Sequence, residues 1–163
     1  KPQTLNKMLT LEKSLGLKST IFVRVTGNEY NFLSYPVLNM VQRAFESGFE
    51  IGLHTSCVEF AKINNLNPID VLELEINILK KFVTIFGIAP HRDLNYAYNS
   101  LGIEYQAYQK NIEDSTVYIN EGFNPHLCWR NYTPEDIIPT KKTMYISTHN
   151  HWWYEEHPFE DWK

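Results

Sequence analysis

Apolar residues recur at helical spacing in three segments of the first half of the chain. The first segment spans residues 3–15 and ends before Gly16, a residue type common at helix C-termini. The second, residues 34–48, begins with serine and proline, and the third, residues 67–87, begins with Asn67 and proline. These starts are typical of a first helical turn, so the pattern predicts three helices. The apolar faces contain Leu5, Met8, Leu9, Leu15, Leu38, Val41, Ala44, Phe45, Leu72, Ile76, Leu79, Val83 and Phe86.

Short runs of β-branched and aromatic residues follow the predicted helices. Residues 19–25 (STIFVRV) predict a strand buried on both sides, residues 49–53 (FEIGL) predict a second, and residues 88–91 begin a third. This alternation predicts parallel strands joined by right-handed crossovers. Beyond the third strand the periodicity weakens, and we expect mainly loops with strands at residues 116–119 and 143–148. The sequence therefore predicts an α/β fold.

Composition and charge narrow the classes of function. With 163 residues, of which 43% are hydrophobic, the chain is predicted to form one domain over residues 1–163. Its 15 basic residues are scattered among 19 acidic ones and its net charge is −4, which argues against a nucleic-acid partner. No apolar run approaches the roughly 18 residues of a membrane helix. We therefore expect a soluble protein without a membrane span, with the cytoplasm favoured as its location.

Three polar residues lie at the ends of separate predicted strands: His54, Arg92 and His149. Ligands of parallel α/β folds bind beyond the C-terminal ends of the strands, where the loops converge. Histidine and arginine ligate metals, bind anions and transfer protons, so the shared position predicts a functional site at this edge. Each residue also has a plainer interpretation, because strand-capping histidines and ion-paired surface arginines are common.

The last predicted strand leads into the segment THNHWW, which contains further candidates. His149 and His151 are alternate residues and would share one face of an extended strand, so both imidazoles could bind one metal ion. Trp152 and Trp153 could form the floor of a sugar subsite, because aromatic rings offer large apolar surfaces. The same pair could instead pack against the domain and close it.

Four segments match an ordered set of family motifs. They are residues 17–23 (LKSTIFV), Glu50–Thr55 (EIGLHT), residues 90–92 (PHR) and residues 146–149 (ISTH). They resemble the strand G-x-x-A-T-F-F-V, the second motif G-H-E-I-G-x-H-[ST], the third motif and the last motif of polysaccharide deacetylases of the NodB-homology type. Residues 148–153 are more similar to an atypical, O-antigen-associated branch than to the chitin or peptidoglycan enzymes.

The resemblance implies a fold and a reaction. The fold would be an irregular (β/α) barrel, here incomplete because the family's first strand, which ends in paired aspartates, would precede Lys1. The reaction would be metal-assisted removal of an N- or O-acetyl group from a sugar. The chain departs from the family in two respects. It lacks those aspartates, which supply the base and one metal ligand, and it has Val58 where the family has a second histidine.

The resemblance also implies roles for individual residues. His54 would be a surviving metal ligand, and zinc is the expected ion; His151 is a further candidate ligand because of its alternate spacing with His149. His149 would be the catalytic acid, and Arg92 would hold the carboxylate base in place. Glu121 lies roughly where the family has an acidic residue that tunes the last histidine, and the alternative is a solvated loop glutamate. The residues assigned to substrate binding are Asp93, Glu121, Trp152 and Trp153.

Three functions remain open at the level of the sequence. The first is a carbohydrate deacetylase acting on acetylated sugars of a bacterial surface polysaccharide. The second is a catalytically inactive relative that binds glycans or serves as a scaffold, which Val58 and the missing aspartates favour. The third is a hydrolase that binds its metal through His54, His149 and His151.

Overall fold

The computed structural model describes residues 2–27, 30–91, 98–107, 116–120, 129 and 132–149. The chain divides into two compact units. The larger is formed mainly by Leu9–Gln109, and the smaller combines Gln3–Met8 with Lys110–Lys163. The elements in chain order are α1 (Pro2–Ser14), β1 (Thr20–Val23), α2 (Tyr35–Glu46), β2 (Glu50–Thr55), α3 (Cys57–Asn64), α4 (Pro68–Lys80), β3 (Ile85–Pro90), a 3₁₀ turn (Tyr98–Leu101), β4 (Tyr105–Gln106), β5 (Thr116–Asn120), α5 (Pro134–Ile137), a 3₁₀ turn (Ile138–Thr140) and β6 (Thr143–Ser147).

The larger unit is built on a parallel sheet with the strand order β1-β2-β3-β4. Ile51 and Leu53 of β2 and Ile88 of β3 are fully buried, and Leu53 pairs with Ile88. Helices α2 and α4 both contact β2. The two central strands therefore form the middle of the core. Because all the strands are parallel, the C-terminal ends of β1, β2 and β3 lie at one edge of the sheet.

Local sequence signals predict the helix starts correctly. Ser34 is the N-cap residue of α2, and a proline occupies the first turn. Asn67 caps α4, where its side-chain oxygen accepts a hydrogen bond from the backbone N–H of Ile69 at 3.0 Å. Gly16 follows α1 with a φ of +69°, a conformation that residues with a Cβ rarely adopt. The three predicted helices are confirmed in the structure.

The predicted end of the third helix at Gly87 is wrong. Helix α4 ends at Lys80, and Val83 lies in the turn that follows it. Phe86 and Gly87 belong to β3, which begins at Ile85 rather than at residue 88. The apolar spacing continues past the helix by coincidence, while Ile85 pairs with β2 in the sheet. Tertiary pairing of a β-branched and aromatic segment therefore overrides the helical periodicity.

Two further details of the larger unit differ from the predictions. Helix α3 lies between β2 and α4, where no helix was expected, and its apolar stretch is too short to show clear periodicity. Strand β1 was expected to be buried on both sides, but it lies at the end of the strand order and alternates. Ile21 and Val23 are buried, whereas Thr20 and Phe22 are half-buried. An apolar run alone does not distinguish an edge strand from a central one.

The smaller unit contains a parallel pair of strands, β5 and β6. Thr116 pairs with Thr143, and Tyr118 pairs with Tyr145, whose ring centroid is 5.4 Å away. Both strands were predicted, within one residue of their observed ends. Helix α5 was not predicted. It begins with a capping box in which Thr133 and Asp136 each accept a hydrogen bond from the other's backbone N–H.

The described residues form a mixed α/β structure with parallel strands, as predicted. The more specific expectations of a (β/α) barrel and of a single domain over residues 1–163 stay predictions. Among the described residues, no helix is both long and apolar enough to cross a membrane.

Candidate functional site

His54 lies inside β2, one residue before the strand ends, and its side chain is half-buried. It pairs with Ala89 of β3 in the parallel register. The prediction placed His54 just after a strand of residues 49–53, so the strand is longer at its C-terminal end than expected. The pairing with Ala89 fixes the backbone of His54 and therefore the face of the sheet on which its side chain lies.

His91 brings a second imidazole to the same place. It follows β3 directly, and its backbone N–H donates to the carbonyl oxygen of Thr55 at 2.8 Å. Alternate residues of an extended segment share a face, so His91 lies on the same side as Ala89 and as its partner His54. The two imidazole centroids are 5.9 Å apart, with the rings inclined at 67°. Two histidines therefore meet at the C-terminal edge of β2 and β3.

Glu59 orients the second of these histidines. It lies in the first turn of α3, and its Oε1 is 3.0 Å from Nδ1 of His91. The His91 side chain is 52% exposed and that of Glu59 is 27% exposed. A carboxylate can only accept a hydrogen bond, so Nδ1 carries the proton in this contact. In a neutral imidazole, Nε2 is then left with a lone pair.

A buried carboxyl group lies beneath this edge of the sheet. Glu75 of α4 is 0% exposed. The hydroxyl of Thr55 donates to its Oε2 at 2.5 Å, and the hydroxyl of Thr26, just beyond β1, donates to its Oε1. Thr55 also accepts a hydrogen bond from the backbone N–H of Cys57 at 3.1 Å. The carboxyl therefore ties α4 to the ends of β1 and β2.

Burial governs the protonation of the groups in this network. Desolvation raises the pKa of Glu75 above its ordinary value, and the threonine hydrogen bonds and the positive charge of Arg24 only partly oppose the rise. Desolvation also raises the pKa of the Cys57 thiol, and the nearby carboxyl of Glu75 acts in the same direction. Both groups are thus shifted toward their neutral forms.

Arg24 connects the segments that leave β1 and β2. Its Nη2 donates to the hydroxyl of Ser56 at 2.6 Å, and its backbone N–H donates to the hydroxyl of Tyr30 at 2.7 Å. Ser56 is the N-cap residue of α3, yet its side chain accepts none of the helix N–H groups. Ser56 and Glu59 have the spacing of a capping box, but their side chains contact Arg24 and His91.

The structure accounts for some of the predicted site residues. It brings His54 together with His91, a neighbour of Arg92 in the chain. His149 is in the smaller unit, two residues after β6, and is exposed there. The remaining predicted site residues lie outside the described part of the chain. They are Arg92, Asp93, Glu121, His151, Trp152 and Trp153.

The described residues do not provide a complete set of metal ligands. Among them, no group of three or more histidine, cysteine, aspartate or glutamate side chains is arranged to hold a metal ion. The carboxyl group of Glu59 is hydrogen-bonded to Nδ1 of His91. A zinc site that includes His54 would therefore need ligands from the rest of the chain, such as His151, and it stays a prediction.

Sequence reasoning missed three of these residues. His91 lies within the Pro90-His91-Arg92 motif, but the family resemblance gives a role only to the arginine of that motif. Glu75 could have been recognised, because it lies on the apolar face of its helix among Leu72, Ile76 and Leu79. Glu59 gave no local signal, since its partner is 32 residues away in the chain.

Comparison of the chain with protein-family profiles, with characterised proteins and with solved structures finds no match.

Proposed function

We propose that this chain is a carbohydrate deacetylase that removes acetyl groups from sugars of a bacterial surface polysaccharide. The observation that supports the proposal is the meeting of His54 and His91 at the C-terminal edge of a parallel sheet. Each belongs to a motif that resembles the deacetylase family, and this edge is where α/β folds bind their ligands. Imidazoles are also the commonest side chains in general acid and base catalysis.

The proposed reaction assigns a separate role to each of three residues. Hydrolysis needs a base that takes a proton from water and an acid that gives one to the leaving nitrogen or oxygen of the sugar. His149 is the proposed acid, and Arg92 is the proposed anion-binding group. His54 would be a ligand of the zinc ion that the resemblance implies. The zinc ion and the barrel fold implied by the resemblance remain parts of the proposal, and no step here depends on them.

The test is acetate release from a panel of N- and O-acetylated sugars and oligosaccharides, with and without added zinc. We expect the wild-type protein to release acetate and the His54→Ala and His149→Ala variants to lose about a hundredfold or more of the rate. Lys62→Ala is the control, because Lys62 is exposed on α3 in the same unit as His54. Release by none of the substrates in either condition would refute the proposal.

A second candidate function is glycan binding without turnover. Val58 stands where the family has a second histidine. It lies in the first turn of α3, the helix that follows β2. An apolar side chain at that position cannot ligate a metal. Saturable binding of the same sugars, measured by calorimetry, together with no acetate release would favour this candidate over the enzyme.

A further inference from the structure

We propose that His91 and Glu59 form the general-base pair of this site. Glu59 holds the Nδ1–H tautomer of His91, and Nε2 takes the proton from the attacking water. The assignment rests on the proposed function, and both residues of the pair belong to the larger unit.

The position of His91 suits a base. Its backbone is fixed by the hydrogen bond to Thr55, and its ring lies against His54 at the ligand-binding edge. With 52% of its side chain exposed, the ring can be reached by both water and substrate. The backbone of His91 is thus attached to the sheet, and its imidazole is open to solvent.

The contact with Glu59 selects the form of His91 that can act. A neutral imidazole has one donor nitrogen and one acceptor nitrogen, and its hydrogen-bond partner decides which is which. Since the carboxylate accepts from Nδ1, the acceptor is Nε2. An acidic partner also holds the ring and its tautomer in place in other catalytic histidine pairs.

The step balances in atoms and charge. The water oxygen bonds to the acetyl carbon as its proton moves to Nε2 of His91, and the carbonyl electron pair moves to oxygen. When the tetrahedral intermediate collapses, that pair returns, the bond from carbon to the sugar nitrogen or oxygen breaks, and the catalytic acid protonates the leaving atom. Acetic acid departs and ionises to acetate, the His91 proton returns to solvent, and the catalytic acid takes up a proton from solvent.

A purely structural ion pair would behave differently. Exposed pairs between histidine or lysine and a carboxylate contribute little to stability, so removing one leaves the fold almost unchanged. A structural role therefore predicts that Glu59→Gln and His91→Ala retain both their fold and their rate. A base role predicts a retained fold and a reduced kcat, because only proton transfer is lost.

The experiment measures kcat and KM of wild type, His91→Ala, His91→Gln and Glu59→Gln on the acetylated sugars and, separately, on p-nitrophenyl acetate. We expect the His91 variants to lose about a hundredfold or more of kcat with KM nearly unchanged. Added imidazole should restore part of the His91→Ala rate, since the exposed ring leaves an accessible space. Glu59→Gln should lose about tenfold or more, because its amide can donate to Nδ1 and favour the wrong tautomer.

Each outcome decides the assignment. Rates of the His91 variants within about twofold of wild type on both substrates, or no hydrolysis of p-nitrophenyl acetate by wild type, would overturn it. If the sugars are inert but p-nitrophenyl acetate is hydrolysed through His91 and rescued by imidazole, the base pair stands and the sugar deacetylase proposal fails. Circular dichroism of each variant shows whether a lost rate reflects a lost fold.

Discussion

Glu75 places an ionisable group where water does not reach it. Its side chain is 0% exposed, and it is surrounded by Thr26, Thr55 and the positive charge of Arg24. The carboxyl satisfies two threonine hydroxyls, which a carbon side chain could not do. Its protonation therefore couples the stability of the site edge to pH.

Replacing Glu75 should change how stability varies with pH. Because burial raises the pKa of Glu75, the folded state holds its proton more tightly than the unfolded state. Its contribution to stability is therefore full below the ordinary glutamate pKa of about 4.3 and declines as pH rises from there to the raised value. We expect the unfolding free energy of wild type to fall over this window relative to that of Glu75→Gln, as measured by urea denaturation across pH.

Glu73→Gln is the matched control for this measurement. Glu73 lies two residues away on the same helix and is exposed, so the same chemical change should leave the pH dependence of wild type intact. Parallel pH curves for wild type and Glu75→Gln would contradict the role assigned to the buried carboxyl.

For single residues, the sequence predicts where a candidate site residue lies in the fold better than it predicts which side chains that residue contacts. His54 was found because it ends a predicted strand, and that reasoning needs only local pattern. The contact between Glu59 and His91 and the contact between Thr26 and Glu75 join residues distant in the chain. Such contacts depend on the sheet register and on helix placement, which apolar periodicity does not specify.

At the scale of elements, Tyr105 links three strands across the sheet. Its ring fills the space above Gly87 of β3, where an added Cβ would lie 2.2 Å from the ring carbon Cζ. Its hydroxyl reaches Glu50 of β2 and donates to Oε1 at 2.5 Å. The short strand β4 is thus joined to β2 over a position that only glycine leaves open.

Gly87→Ala should destabilise the larger unit by about 1–3 kcal/mol, because the methyl group overlaps the ring and displaces Tyr105 from Glu50. The measurement is urea denaturation of four proteins: wild type, Gly87→Ala, Tyr105→Ala and the double variant. In the Tyr105→Ala background the cost of the alanine should shrink, since the clash is gone. An equal cost in both backgrounds would show that the ring is not the cause.

Element boundaries were harder to predict than the elements themselves. Capping residues identified the starts of α2 and α4 because a cap acts within one turn. The predicted end of α4 was wrong because apolar residues beyond Lys80 continue the helical spacing by chance. Those from Ile85 onward belong to strand β3. Short elements such as α3 and α5 offer too few residues for a period to be recognised.

At the scale of the molecule, the parallel arrangement followed from the alternation of helices and strands. The division into two compact units did not, because it depends on which distant segments meet. The described strands also differ in how deeply they are buried. Strands β2 and β3 have fully buried side chains, whereas β6 contains only half-buried and exposed residues.

Backbone hydrogen exchange should reflect that difference. We expect the amides of Glu50–Thr55 and of residues 85–89 to exchange more slowly than those of Thr143–Ser147, because the latter pair with one described strand and are partly exposed. Exchange measured by mass spectrometry on peptides covering these strands checks the order. Faster exchange in β2 and β3 than in β6 would contradict this view of the core.

The residues of the buried network around Glu75 are synthesised in a fixed order. Its hydroxyl partners, Thr26 and Thr55, both precede it in the chain, so they leave the ribosome before the carboxyl does. Every group that the carboxyl needs is therefore present once α4 has been synthesised. The imidazole of His91 emerges later, onto an edge whose polar interior can already be paired. During synthesis, the hydrogen bonds of Glu75 can thus form before His91 is added to the chain.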